Sequence, residues 1–515
     1  MFKYMPRSKV LSRLTSTAGH LSPPNIAYRA ATTAVMATAA TVSLTPETSG
    51  VCHVPKSQIA TDSCSRASEL LQKNHDNYHM YFNTSGFHNH IAHHLLTIFA
   101  LGATAPQIQK AYDDNANYQR PQFPVDKDKV ESMSDPATFA KYLNDEKYFH
   151  DFEIFFRKEI ERRNGSWQEM LNEHLLEDSA QAKDLFVRMF AGFFHPIIHL
   201  GFGVEFEQPA IITESLAQAA THDNWPAEFM QQTEEKATKR KQKREKARSL
   251  FELLKDARAS DKIRTSPHWD DGNKVRDGVF KRALPEVTDL CSQWFVQPAE
   301  QDLKLKTAEM INFCAYFAST AQHPSRKKQV KFDFFYMHSI NCSVFYSAFV
   351  DSKNDSWLKN EDRARLLEAK AWSDVAMYIS RGSPEPLLDE VTNYMPKQPQ
   401  DGWHEIFERV DSLPDDGHAS KLVRALANGE RVCRDYEDNE GRDWPIRGDS
   451  WLKIAHMAID SVEGTTTKWV RNAGFDQAWK SIPDRADGPN ASGARAEGLS
   501  KHGPIGEVAQ GYHEK

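Results

Sequence analysis

The chain has 515 residues, of which 40% are hydrophobic, 11% aromatic and 26% charged, and its net charge is −7. That length can bury a large core and that composition is ordinary for a globular protein, while the acidic balance gives no electrostatic reason to expect a nucleic acid partner. Cys52, Cys64, Cys291, Cys314, Cys342 and Cys433 are scattered without a CxxC pair, which fits a reduced compartment better than a disulfide framework.

Residues 1–46 hold Lys3, Arg7, Lys9, Arg13 and Arg29 and no acidic residue before Glu47, with Ser, Thr and Ala abundant. This is the composition of an organellar transit peptide; the other reading is a disordered extension. The expected organisation is an N-terminal extension over 1–46, a helical catalytic domain over 47–480 and a flexible tail over 481–515. No apolar run reaches the ~18–20 residues that span a bilayer. The stretch 185–206 comes nearest, and Arg188, His195, His199 and Glu205 interrupt it. The expectation is an intracellular protein, cytoplasmic or mitochondrial, without membrane or nucleic acid partners and with its oligomeric state open.

Helical spacing of apolar residues dominates from there on. A first helix is expected over 65–74. Phe87, Ile91, His94, Leu95, Ile98 and Leu101 then form one stripe that stops at Gly102; it places His94 inward and His93 nearer the flank. The polar segment 113–128 reads as a loop. Asp135-Pro136 opens a helix through Tyr142, and another runs over 148–163 to Asn164-Gly165. A long apolar helix is expected over 179–200, kinked or broken by Pro196. The basic stretch 231–250 reads as a solvated helix face, and the polar stretch 258–277 as a surface excursion. Helical patterns resume at 303–319, 332–350, 361–379, 420–427 and 451–462, with a proline-rich connector over 380–401. Strand patterns are scarce and no repeat is visible, so the expected fold is all-α, a large multi-helix globular domain.

The chemistry resides in histidine. His88, His90, His93 and His94 fall within seven residues. His195 and His199 are four apart on one helical face in an apolar stretch, so their rings can converge on one ion; the alternative is two core histidines satisfied by carbonyls or by Glu205 and Glu207. His338 is a solitary imidazole in an aromatic helix, where a satisfied core role is equally open. Lys421 is either a surface lysine or a desolvated nucleophile of lowered pKa, able to add carbon dioxide and become a carbamate ligand. Asp416 or Ser420 is positioned to cap its helix. Gly201-Phe-Gly203 lacks a third glycine and a preceding strand, and neither a phosphate-binding loop nor a GxSxG elbow occurs.

Several long stretches resemble the questin oxidase-like family of fungal oxidoreductases: 86–102, 112–121, 194–209 continuing to His222, 337–343, 417–426 and 449–462. The resemblance covers roughly 42–480. It implies an enzyme of polyketide metabolism that inserts oxygen into an aromatic or anthraquinone ring and opens it. One branch of the family holds iron with four histidines and a carboxylated lysine. Carried over, that implies His94 (with His93 as competitor), His195, His199, His338 and Lys421 as metal ligands. Fe(II) is then the metal, molecular oxygen the co-substrate and a polycyclic aromatic small molecule the substrate. Imidazole suits iron, zinc and copper alike, and iron is favoured because the reaction class needs redox chemistry that zinc cannot supply. Glu205, Glu207 and His90 are candidates to orient ligand rings, His222 is a candidate proton carrier, and Asp460 and His418 are weaker candidates. Two other readings are an NADPH-dependent Baeyer–Villiger-type monooxygenase without bound metal, and a non-catalytic helical binder of polycyclic ligands. The missing nucleotide fingerprint argues against the first.

Overall fold

The computed structural model describes residues 36–48, 50, 54–437 and 444–485. Within them lie 21 α-helices, short 3-10 and π turns and no β-strand, only isolated bridges. The fold is all-α, as the periodicity predicts.

The helices at the centre are apolar on every side rather than along one stripe, which is the pattern of a fully buried helix. Every residue of Ile91–Leu101, His195–Glu205 and Pro209–Thr221 is buried, and all but Ser347 of Phe334–Phe349. Phe334–Phe349 packs against Glu300–Thr320, His195–Glu205 and His418–Glu437. His418–Glu437 packs in turn against Ser450–Val462 and Ile91–Leu101. Amphipathic helices close the outside: Phe149–Arg162 buries Phe149, Phe152, Phe155, Phe156 and Ile160 and lies against Pro209–Thr221.

The single helix expected over 179–200 is two. Ala180–Arg188 ends, the chain turns through Gly192, Phe193 and Phe194 at φ 52°, 52° and 71°, and a new helix starts at His195. The two arms are bent by 72°. Pro196 therefore sits in the first turn of a helix, where its missing N–H leaves no hydrogen bond unmade. The helix expected over 420–427 is longer, His418–Glu437. Its cap is neither Asp416 nor Ser420 but Asp415, whose carboxylate accepts from the backbone N–H of Gly417 and Ala419 at 2.8 and 3.0 Å. Asp416 is thereby left for other partners.

The 258–277 segment is exposed at Asp261, Lys262, Arg264 and Thr265, as expected, and turns inward toward its end. Lys274 is fully buried, its ammonium held by the backbone carbonyls of His268, Trp269 and Asp271. Residues 36–46, within the segment expected to be an extension, pack onto the domain through Ala39, Val42 and Leu44, and Leu44 N donates to Ser68 Oγ at 2.8 Å. Ile482 is buried and Arg485 pairs with Glu390 at 2.7 Å, so the first residues of the expected tail are also packed. Residues 1–35 and 486–515 lie outside the described residues.

The tightest contact in the centre is at Gly201. A Cβ there would stand 2.1 Å from Cγ and 2.5 Å from Cβ of Phe345, so His195–Glu205 and Phe334–Phe349 touch at van der Waals distance only because position 201 has no side chain. Gly201→Ala is expected to destabilise the protein by about 1–3 kcal/mol, seen calorimetrically as a Tm lower by several degrees. Gly272→Ala, where the nearest atom is Asp277 Oδ2 at 3.6 Å, is the control and should stay within about 0.5 kcal/mol. Equal stability of the two variants would contradict the close approach.

Candidate functional site

Four imidazoles meet where the central helices converge. His90 precedes Ile91–Leu101, His195 and His418 are each the first residue of a helix, and His338 lies one turn into Phe334–Phe349. Their ring centroids form a closed circuit, with 5.0 Å from His90 to His195, 4.9 Å from His195 to His338, 5.2 Å from His338 to His418 and 4.6 Å back to His90. Lys421 follows His418 by three residues, hence on the same face, and is 4% exposed. Its charge acts on all four rings.

The hydrogen bonds behind the rings fix their protons. Nδ1 of His195 is 2.6 Å from the carbonyl of Gly192, and Nδ1 of His338 is 2.7 Å from that of Phe334. Nδ1 of His90 and of His418 meet the two oxygens of Asp416 at 3.1 and 2.6 Å. Desolvation opposes its charge, but the side chain of Asp416 is 39% exposed and His418 and His90 hold it well below the usual carboxylate range, so it is an anion. Carbonyls and carboxylates only accept, so each Nδ1 carries a proton and each neutral ring keeps a bare Nε2. Burial pushes the His90 pKa down to about 3 and those of His195 and His338 well below the ordinary value, with neighbouring positive charge adding to the effect.

Those bare nitrogens have nothing to bond. Nε2 of His90 and Nε2 of His195 face each other at 2.8 Å. Nε2 of His338 and of His418 have no partner among the described residues. Two lone pairs at that distance repel unless positive charge lies between them, and buried polar atoms without partners are costly. The residues fit a metal cation: neutral imidazoles oriented from behind by carboxylate or carbonyl are the usual arrangement of histidine ligands. Lys421 adds to the fit. Burial lowers its pKa to about 8, against the opposing pull of Asp416 and Asp415.

Of the residues expected at the site, His195, His338 and Lys421 are in this group. His94 is not: its ring stands against Gly417, with Nε2 4.0 Å from Asp415 and neither ring nitrogen hydrogen-bonded among the described residues. His93 is the ring turned toward the cluster, 5.6 Å from His90 and 5.0 Å from His199. The apolar stripe could not separate the two because Ile91–Leu101 is buried on all sides. His199 makes no ring contact with the four among the described residues; its Nδ1 is 2.9 Å from His93 Nε2 and its Nε2 2.6 Å from Glu214. His222 joins His88, Nε2 to Nε2 at 2.9 Å, and a Cβ on Gly192 would lie 2.4 Å from its ring.

Glu205 and Glu207 orient none of the four rings. Glu205 forms a buried pair with Arg424 at 2.5 Å, and Glu207 is half exposed beside Lys353. Asp460 is taken by Arg409 and Tyr394 at 2.8 and 3.0 Å. Asp416 and the two carbonyls do the orienting instead. His90 and His418 enter from helix starts, where periodicity carries no information. The one available signal was the spacing of His418 and Lys421.

Behind His199 lies a second buried group. Glu214 bonds His199 and, at 2.7 Å, Nδ1 of His75, whose Nε2 is 3.5 Å from Glu153. Burial opposes the charge on His75, but Glu153 and Glu214 together hold its pKa up at about 9. Burial likewise opposes the charge on Glu214, yet hydrogen bonds from His199 and His75 hold its pKa down at about 2.

Residues 87–426 match the model of the family described as questin oxidase-like, a span that contains all four circuit histidines and Lys421. The chain is 41% identical over 454 residues to the Baeyer-Villiger monooxygenase dmxR6 of Cryptosporiopsis sp., covering 87% of this chain and 100% of that protein. It is 37% identical over 453 residues to the questin oxidase of Aspergillus terreus, covering 87% and 98%. It is 34% identical over 469 residues to the oxidoreductase AflY of Aspergillus parasiticus, covering 85% and 92%.

The charged state of His75 has a consequence for stability. Its folded pKa of about 9 lies above the ~6.5 of an unfolded histidine, so the stabilisation is complete below pH ~6.5 and is lost as pH rises through 9. Tm followed over pH 6–9.5 should fall more steeply for wild type than for His75→Gln. Parallel curves would show that His75 is not held charged.

Proposed function

The chain belongs to the questin oxidase-like family and is an oxidoreductase; from that premise we propose that it inserts oxygen from O2 into a hydroxylated, anthraquinone-type polycycle and opens the ring, at one iron ion held by His90, His195, His338, His418 and Lys421. The observation that carries this reading is the pair of bare Nε2 atoms at 2.8 Å between His90 and His195, closed into a circuit by two further unpartnered Nε2 atoms. This set keeps His195, His338 and Lys421 from the resemblance and replaces His94 and His199 with His90 and His418.

Lys421 supplies the anionic ligand in its carboxylated form. With a pKa lowered to about 8, part of the side chain is the neutral amine near neutral pH. Its Nζ bonds the carbon of CO2 and releases one proton, leaving a carbamate. Four neutral imidazoles and one carbamate would leave a bound Fe(II) with net charge about +1 and one open octahedral position. Iron at this position supplies the redox chemistry that O2 activation needs. The protein's own part is to hold the rings, exclude water and orient the substrate. Phe334 stands 4.8 Å from the ring of His338 and 5.2 Å from that of His418, and Phe193 lies 6.5 Å from His338. Their faces suit stacking against a flat polycycle.

Purified protein is expected to carry about one iron per chain, measured by elemental analysis. His338→Ala and Lys421→Ala should retain under about a tenth of it and lose turnover in parallel. Protein without stoichiometric metal, or turnover that needs NADPH and ignores chelators, overturns the iron reading in favour of a metal-free monooxygenase. Tight ligand binding without any turnover leaves only a binding protein.

A further inference from the structure

The turn that precedes His195 also walls a chamber that the proposed oxygen insertion does not use. Phe190, Phe193, Phe194, Trp225, Phe229 and Phe280 line about 340 Å³ of unfilled space, with Ala376 and Met377 of Asn360–Ser380 behind them. That volume is at the small end of ligand sites. The space is narrow, and Phe229 stacks on Phe280 with centroids 4.5 Å apart, so its walls suit a flat ring system. The lining side chains carry only two nitrogen or oxygen atoms. Ser373 Oγ donates to the carbonyl of Ala369 at 2.8 Å. Trp225 is half-buried, yet its Nε1 is buried and has no hydrogen-bond partner among the described residues. A buried indole N–H ordinarily finds an acceptor, and the chamber walls do not provide one. Phe193 and Phe194 are held at φ 52° and 71°, a costly conformation for bulky residues that clusters at ligand sites. Phe193 lines the chamber and also stands 6.5 Å from the ring of His338, so one strained residue borders both spaces.

We propose that this chamber is a binding site for a flat aromatic ketone, with Trp225 Nε1 donating to the ketone oxygen. The link to catalysis rests on the substrate class of the preceding section: an anthraquinone-type polycycle carries ring carbonyls, and the chamber takes its end remote from the iron. Trp225 is then a specificity-determining residue. A hydrocarbon of the same outline leaves the indole N–H unmet, and a site built around a hydrogen bond rejects the analogue that lacks it. An anionic ligand is disfavoured, because no charged side chain lines the chamber. Half-buried Trp225, Phe280 and Ser373 leave a side by which a ligand enters. Binding makes and breaks no covalent bond and moves no proton.

The test uses the full chain, treated with a chelator, in equilibrium dialysis against 9-fluorenone and fluorene. The two share a tricyclic outline and differ by the carbonyl. Wild type should hold fluorenone about tenfold more tightly than fluorene. Trp225→Phe keeps an aromatic wall and removes the N–H; it should weaken fluorenone about tenfold and leave fluorene within about threefold of wild type. Ser373→Trp fills the chamber from a half-buried position and should abolish binding of both, with Tm within a few degrees of wild type. With iron and O2 supplied, Ser373→Trp should also raise KM for 1,8-dihydroxyanthraquinone at least about fivefold at unchanged iron content. Wild type that binds neither tricycle, or a Ser373→Trp variant that binds both as before, overturns the chamber and leaves the oxygenase reading standing. Equal affinity of wild type for the two tricycles, or fluorenone binding unaffected by Trp225→Phe, overturns the role of the indole. An unchanged KM beside abolished fluorenone binding overturns the chamber's part in substrate binding. Wild type that binds fluorenone as expected but turns over no anthraquinone overturns the oxygenase reading and leaves the chamber as a ketone site.

Discussion

His90 and His195 point unprotonated ring nitrogens at each other across 2.8 Å. Left alone, that contact is repulsive, and water is not there to relieve it: the two rings are 8% and 2% exposed. The surroundings enforce it. Gly192 and Phe334 supply carbonyls, Asp416 supplies a carboxylate to two rings at once, and each removes the option of a flipped tautomer. Asp416 is free for this because Asp415 caps the helix. The break between Ala180–Arg188 and His195–Glu205 serves the same end, because at the turn the Gly192 carbonyl meets both the backbone N–H and the Nδ1 of His195.

The treatment of buried charge shows how selective the environment is. Lys370 and Lys421 are both in the core, at 0% and 4% exposure. Burial opposes the charge on Lys370, but the Asp374 carboxylate one turn away contacts it and its pKa is raised. Lys421 is pulled toward the charged state only by Asp416 and Asp415, which do not offset burial, and its pKa is lowered. The same residue type is thus kept as a permanent ammonium in one place and made a potential nucleophile in the other. Glu214 and His75 follow the first pattern, each sustaining the charge of the other.

Much of this was readable in the sequence. The helix pattern was clear, because apolar spacing at 303–319, 332–350, 361–379 and 451–462 corresponds to helices within a few residues. His195 and His338 stand out as polar groups in apolar settings, Lys421 enters through the family resemblance, and the structure brings those three together. Choosing between His93 and His94 was beyond periodicity, since a helix buried on all sides has no inward stripe. His90 and His418 sit at helix starts, where orientation depends on the incoming chain. Glu214 and His75 carry no signal in the sequence, because their meeting depends on how Thr61–Asn77, His195–Glu205 and Pro209–Thr221 pack. The turn at 192–194 was hidden because two successive phenylalanines at positive φ are a conformation that local propensity disfavours and only tertiary packing sustains.

The four rings and Lys421 come from positions 90, 195, 338, 418 and 421, and no two of the first four share a helix. Closing such widely separated segments is slow and comes late in folding. No proteolytic fragment or truncated translation product that ends before residue 421 can hold the complete set. The four-ring group therefore has no partially assembled precursor, and its formation reports how much of a preparation has reached the native state.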